Sequence, residues 1–358
     1  PEGGAILRDA ESRPTGVLRE HAIRLFEGSR EDRSPAELER LHDRAAAYCL
    51  ERGITTVHSI ENQLHWEQLQ NLAVRRTLKL RTGVLVRLDE FDAIEHLEAT
   101  SGQGDDWCWL IGIKIFADGA LGSRSAWLKV PYENSHDTGM ALISHQDLLQ
   151  QVTRAHRNTL SVGIHAIGDA AVEMALQVLS QTRPQQAEAL RDRIEHLQLI
   201  DPADLGYIPS DLFGAVQPIH MAGDRSLAEK YWGARSRFAY AFRSLQHSGV
   251  RLCFGSDAPV EEVDPWKSIR MAVTRQIADT DDPWHQDEQI SLADALTAYT
   301  YHGALTAYRE HTLGSLQIGT RGDAVMVGAD PFEGGPERLA GIKPVMTILD
   351  GEVVYTDG

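Results

Sequence analysis

Four polar residues stand at or just past the carboxyl ends of apolar, strand-like runs: Lys114 in IGIKIFADG, His165 in GIHAIGD, His196 in IEHLQ and Asp257 in FGSDAP. Amine, imidazole and carboxylate groups are the side chains that carry protons or hold cations. Successive members are 51, 31 and 61 positions apart, a spacing that suits consecutive strand–helix units or pairs of them. In a parallel barrel the carboxyl ends of the strands converge, so residues remote in sequence meet in one cluster. Singly, each has a plain structural explanation. A histidine after an apolar strand is commonly a hydrogen-bonded structural group, and an aspartate before Ala-Pro commonly caps a helix or forms a turn. Lys114 is harder to explain that way. Apolar residues flank it on both sides, and a bare ammonium in a barrel mouth is costly unless it is paired or chemically altered.

The elements needed to carry these residues are legible as an alternation of helical and strand signals, the pattern of parallel strands joined by crossover helices. Pro35 to Glu51 is predicted helical, with Ser34 as N-cap, Pro35 at the first helical position and Gly53 beyond its end. Strands are predicted at Ile54–His58, Leu78–Leu88, Leu110–Phe116, Ser161–His165, Asp192–His196, Phe213–Pro218 and Arg251–Gly255. Helices are predicted around His65–Arg76, Phe91–Thr100, Gln146–Asn158, Asp169–Ser180 and Phe238–Ser248. About seven strand–helix steps result, one short of a closed eight-stranded barrel. After His311 the pattern becomes antiparallel, with Ala324–Val327, Val345–Leu349, an Asp350-Gly351 turn and Val353–Tyr355. The chain is therefore expected to divide into a barrel over residues 1–311 and strands of a second, β-rich domain over 312–358.

The 358 residues carry 35 Lys and Arg against 52 Asp and Glu, a formal net charge of -17 that opposes nucleic-acid binding. Hydrophobic residues make up 42% and charged residues 24%, a globular composition with no apolar run long enough to cross a bilayer. Cys49, Cys108 and Cys253 are too scattered for a disulfide framework or a metal knuckle, which suits a reducing, cytoplasmic setting. The chain opens at Pro1, without an initiator methionine or an apolar signal segment.

The ordered Lys, His, His, Asp series, with the phrases GITTVHS, IKIFADGALGSR, HAIGDAAV, RIEHLQL, QPIHM and FGSDAPVEEVDPW, resembles the metal-dependent amidohydrolase superfamily. Within it, the chain is most similar to amidohydrolase family 3, the YtcJ-like hydrolases related to N-substituted formamide deformylases. The resemblance runs from about Arg13 to Tyr355 and implies a (β/α)8 barrel, with the tail GSLQIGTRGDAVMVGADPF returning to a β-sandwich that both chain ends share. It implies that Lys114 is carboxylated and bridges two divalent metals, and imidazole and carboxylate donors suit zinc. It makes His165 and His196 ligands of one metal, and Asp257 a ligand of the other and the general base.

One departure bears on activity. Such enzymes carry an HxH pair at the end of the first barrel strand, and no HxH occurs in this sequence. The expectation is a partial amidohydrolase lacking that strand, which by itself is impaired in hydrolysing non-peptide C–N bonds of small amides or formamides. The alternatives are a mononuclear deaminase, or an inactive barrel that serves binding or oligomerisation. Asp118 and Arg124, in the loop after Lys114, are candidates to line a substrate pocket or to pair with each other, and His220 in QPIHM to orient substrate. His58 is read as structural. His21, His42, His65, His96, His136, His145, His285 and His311 are read as solvated. No membrane partner is expected, and a homo-oligomer is possible.

Overall fold

The computed structural model describes residues 4–29, 34–182, 190–209, 211–278 and 282–357. Two short strands, β1 (Gly4–Arg8) and β2 (Pro14–Glu20), form an antiparallel hairpin that the sequence reading did not anticipate. Helix α1 (Pro35–Leu50) begins with a capping box, in which the Ser34 hydroxyl accepts from the Glu37 amide and the Glu37 carboxylate accepts from the Ser34 amide. This start was written in the sequence as Ser-Pro-x-Glu.

Seven strands then build one wholly parallel sheet in sequential order: β3 (Thr56–Glu61), β4 (Arg81–Arg87), β5 (Cys108–Phe116), β6 (Ser161–Ala166), β7 (Arg193–His196), β8 (Phe213–Val216) and β9 (Arg251–Phe254). The crossovers include α2 (Gln63–Val74), α3 (Phe91–His96), α4 (His145–Arg157), α5 (Asp169–Thr182), α6 (Met221–Trp232) and α7 (Phe242–His247). After β9 come α8 (Pro265–Thr274), α9 (Leu292–Tyr299) and α10 (Tyr301–Thr306). Outward-facing Val84, Val86, Ile113, Ile115, Val162 and Ile164 pack against these helices in one continuous core. The helix predicted over Phe238–Ser248 is shorter than expected. Tyr240, with a left-handed φ of 53°, interrupts it, so that only α7 is helical.

The interior of the curled sheet depends on an irregularity in β5. Its register against β4 jumps from Val84↔Leu110 to Leu85↔Gly112, leaving Ile111 without a partner. Such a bulge puts an extra residue on one strand and reverses which side chains face inward beyond it. Trp109 and Ile111 accordingly pack inside with Leu85, while Ile113 and Ile115 face the helices. That reversal places Lys114 in the interior. The α10 end closes the floor of the sheet, where the Trp109 indole donates to the Ala307 carbonyl.

The tail forms a separate antiparallel sheet of β10 (Ala324–Val327), β11 (Pro344–Leu349) and β12 (Glu352–Thr356), not hydrogen-bonded to the β1–β2 hairpin. It seats on the amino-terminal side of the barrel. Leu349 joins Ala46, Leu50 and Leu80, and the Thr347 hydroxyl donates to the Leu50 carbonyl. Gly53 makes the approach possible. Its φ is 77°, and a Cβ there would lie 2.7 Å from Val325 Cγ2. No described helix is long and apolar enough to cross a membrane.

Candidate metal centre

The carboxyl ends of β5 to β9 bring the four residues singled out in the sequence to one mouth. Lys114 is 2% exposed and makes no hydrogen bond, and no ion pair within 4 Å, among the described residues. The charges of Glu195, Arg193 and Asp257 act on it, and its ammonium lies 5.1 Å from the Phe116 ring centre. Burial pushes its pKa down to about 8.

His196 is the last residue of β7. Alternation from inward-facing Glu195 would aim it outward, but φ values of 70° at His196 and 43° at Leu197 turn the chain, and the ring faces the other histidines instead. Its ring centre lies 4.5 Å from that of His165 and 6.0 Å from that of His220. Burial, then the charges near it, lower its pKa well below the usual imidazole range, and burial takes His165 down to about 3. Both rings are therefore neutral near pH 7, the form that donates a lone pair to a metal.

His196, His220 and Asp257 offer ligand atoms that all lie within 4.8 Å of one another. His196 Nδ1 is buried without a hydrogen-bond partner in the described structure. Asp257 follows β9 with φ 54°, and burial raises its carboxyl while His220 and Lys114 pull it back. The donor set and the unsatisfied imidazole nitrogen fit a divalent cation.

The other candidates have partners the sequence did not show. His165 lies beside His196, but its Nε2 approaches the Gly119 carbonyl at 3.0 Å and the Asp118 carboxylate at 3.5 Å. His220, expected only to orient substrate, is instead the third member of the converging group. Asp118 does not pair with Arg124. Only 1% exposed, it accepts from the amides of Trp127, Ile167 and Gly168, at 2.8, 3.0 and 2.8 Å, and so ties the loop after β5 to the end of β6. Arg124 is exposed on that loop, its guanidinium 5.4 Å from the Tyr231 ring centre. Glu20 of the amino-terminal hairpin reaches the same loop at Ser125.

Beneath the converging group lie three charged or titratable residues that sequence reasoning missed or left as structural. Arg193 Nε donates to Glu195 Oε1 at 2.6 Å, and its Nη1 lies 3.1 Å from His58 Nδ1. Burial and Arg193 bring His58 down to about 3, leaving its Nδ1 free to accept. The signal was the i, i+2 pair of opposite charges in the strand DRIEH, where a barrel interior favours apolar residues. His285, expected in solvent, instead lies against Trp284 with ring centres 4.9 Å apart.

Sequence comparison matches the amidohydrolase family to residues 1–355. Protein LONG AFTER FAR-RED 3 of Arabidopsis thaliana is 31% identical over 372 residues, which cover 99% of this chain and 64% of that protein. Putative amidohydrolase YtcJ of Bacillus subtilis (strain 168) is 30% identical over 370 residues, covering 99% of this chain and 68% of the relative. The chain thus spans about two thirds of the length of these relatives. The crystal structure of an uncharacterized metal-dependent hydrolase from Pyrococcus furiosus superposes with a TM-score of 0.76 at 27% identity, over 91% of this chain and 67% of the other.

Proposed function

The chain belongs to the amidohydrolase family, and on that basis we propose that it is a metal-dependent hydrolase of non-peptide C–N bonds in small amides or formamides. The observation that carries the proposal is the convergence of His196, His220 and Asp257, of which His196 also has a buried Nδ1 with no hydrogen-bond partner among the described residues. These three residues would hold a divalent cation, zinc by donor type, with Lys114 and His165 flanking it. When bound, that cation would polarise the scissile carbonyl and acidify the attacking water.

The chain's own groups supply the rest. Asp257 takes a proton from water and passes it to the leaving nitrogen, so that amide and water become carboxylate and amine. Phe116, 42% exposed at the end of β5 and 5.3 Å from the His165 ring centre, gives the substrate an aromatic wall. Arg124 is placed to meet a substrate carboxylate. Carboxylation would remove the cost of the buried, unpaired Lys114 ammonium, and we include it in the proposal. The donors that converge among the described residues suit one cation.

The test is amine release from a panel of N-alkyl and N-aryl formamides and N-acyl amino acids, using the zinc-loaded chain in bicarbonate. Turnover should disappear with a chelator, return with zinc, and fall by about 10²- to 10⁴-fold in Asp257→Asn. Turnover that survives both chelation and Asp257→Asn would overturn the assignment, and so would none at all across the panel.

A further inference from the structure

We propose that Glu195, held by Arg193, which His58 braces in turn, is a positioning residue that sets the Lys114 side chain at the metal centre, an inference that rests on the metal reading above. The geometry begins with register. Lys114 of β5 pairs with Gly163 of β6, and Gly163 pairs with Arg193 of β7, so the two cationic residues flank a position that has no side chain. A Cβ on Gly163 would lie 2.8 Å from Leu85 Cδ2, 2.9 Å from Glu195 Oε1 and 3.5 Å from Arg193 Nε. The Arg193 and Glu195 side chains therefore lie over Gly163, in the space between β7 and Lys114. Gly163 has no left-handed φ, so what excludes a larger residue is this packing alone.

The other end of the brace crosses the barrel. His58 belongs to β3, four strands from β7 in the sheet, and the 3.1 Å contact with Arg193 spans the interior. Arg193 and Glu195 are only 4% and 7% exposed. A buried ion pair is about as stabilising as a well-packed apolar pair, and often less so, and barrel interiors are normally filled with branched apolar residues. Among the described residues, Lys114 has no hydrogen bond and no ion pair within 4 Å, and Glu195 and Arg193 are the charged groups that act on it across Gly163. Groups that orient the side chains around a metal site support metal binding, and their loss weakens it without removing a ligand.

Cobalt(II) alone, in bicarbonate buffer, is the probe. Its affinity and visible absorption bands would be measured for the wild-type chain, Glu195→Gln, Gly163→Ala and the double variant Arg193→Met/Glu195→Leu, with the thermal midpoint of each metal-free chain alongside. The double variant removes both charges, so its metal-free midpoint should match wild type. Cobalt affinity should nevertheless fall by about 10- to 100-fold in all three variants, with shifted absorption bands. If the double variant regains both stability and wild-type cobalt binding, the brace is only structural and the proposal is overturned. Gly163→Ala and Glu195→Gln decide the question if the double variant does not fold, and wild-type binding in both overturns it. A wild-type chain that binds no cobalt overturns the metal reading and this inference together, whereas tight binding that no variant changes overturns this inference alone.

Discussion

His196→Ala should abolish metal retention. The chain, loaded with zinc in bicarbonate and dialysed exhaustively, is expected to keep about one zinc, the number a single tetrahedral site holds. The substitution removes the ring whose Nδ1 is the unsatisfied buried donor and whose neighbours are His165 and His220. Because a ligand itself is lost, the fall in affinity should exceed the roughly 100-fold limit for groups that only support ligands. Folding should be affected little, since His196 ends β7 outside the apolar core and its Nδ1 has no hydrogen bond to lose among the described residues. Metal analysis together with far-ultraviolet circular dichroism decides the matter. Zinc retained by a folded His196→Ala chain would remove His196 from the site. Equal loss in Lys114→Ala would add Lys114 to the ligands, and retention there would leave the converging His196, His220 and Asp257 sufficient.

Asp323→Ala should cause the largest loss of stability, at the seam between barrel and tail. Arg81 begins β4 and is 0% exposed. Its Nε and Nη2 donate to Asp323 at 2.7 and 3.0 Å, its Nη2 also to Asp350 at 3.0 Å, and its Nη1 to the Asp106 carbonyl at 2.9 Å. The Asp323 carboxylate additionally accepts from the Asp350 amide at 2.9 Å. Removing Asp323 leaves Arg81 only the half-exposed Asp350 as a carboxylate partner, and breaking a buried pair costs up to about 3–5 kcal/mol. That is a large part of the roughly 5–15 kcal/mol by which domains are stable, so the urea midpoint should fall sharply and the tail should become protease-sensitive. The double variant Arg81→Met/Asp323→Ala should recover much of the loss, because no buried guanidinium with half its carboxylate pairing removed remains. An unchanged midpoint in the single variant would show that Arg81 is satisfied without Asp323.

The parallel α/β rhythm, the position of α1 and the tail strands could be read from local pattern, because helix caps and hydrophobic periodicity are properties of adjacent residues. The order Lys114, His165, His196, Asp257 was likewise legible, since carboxyl ends of barrel strands meet wherever the fold is parallel. The β1–β2 hairpin was not, because its strands are short and largely exposed and offer no sustained apolar alternation.

By itself, then, the sequence determined the parallel strand–helix rhythm and the order in which donor groups reach the carboxyl ends of its strands. The tertiary structure decided how those groups are aimed. The bulge at Ile111 turns Lys114 inward, and the left-handed backbone at His196 turns its ring toward His220. The loop after β5 engages Asp118 with three amides and draws His165 Nε2 to Gly119, while the bare Gly163 admits Glu195 and Arg193 beside Lys114. Each of these outcomes depends on register and free space between strands whose residues lie tens of positions apart. Side-chain direction in a barrel follows from cross-strand pairing, and that pairing exists only once the sheet has formed.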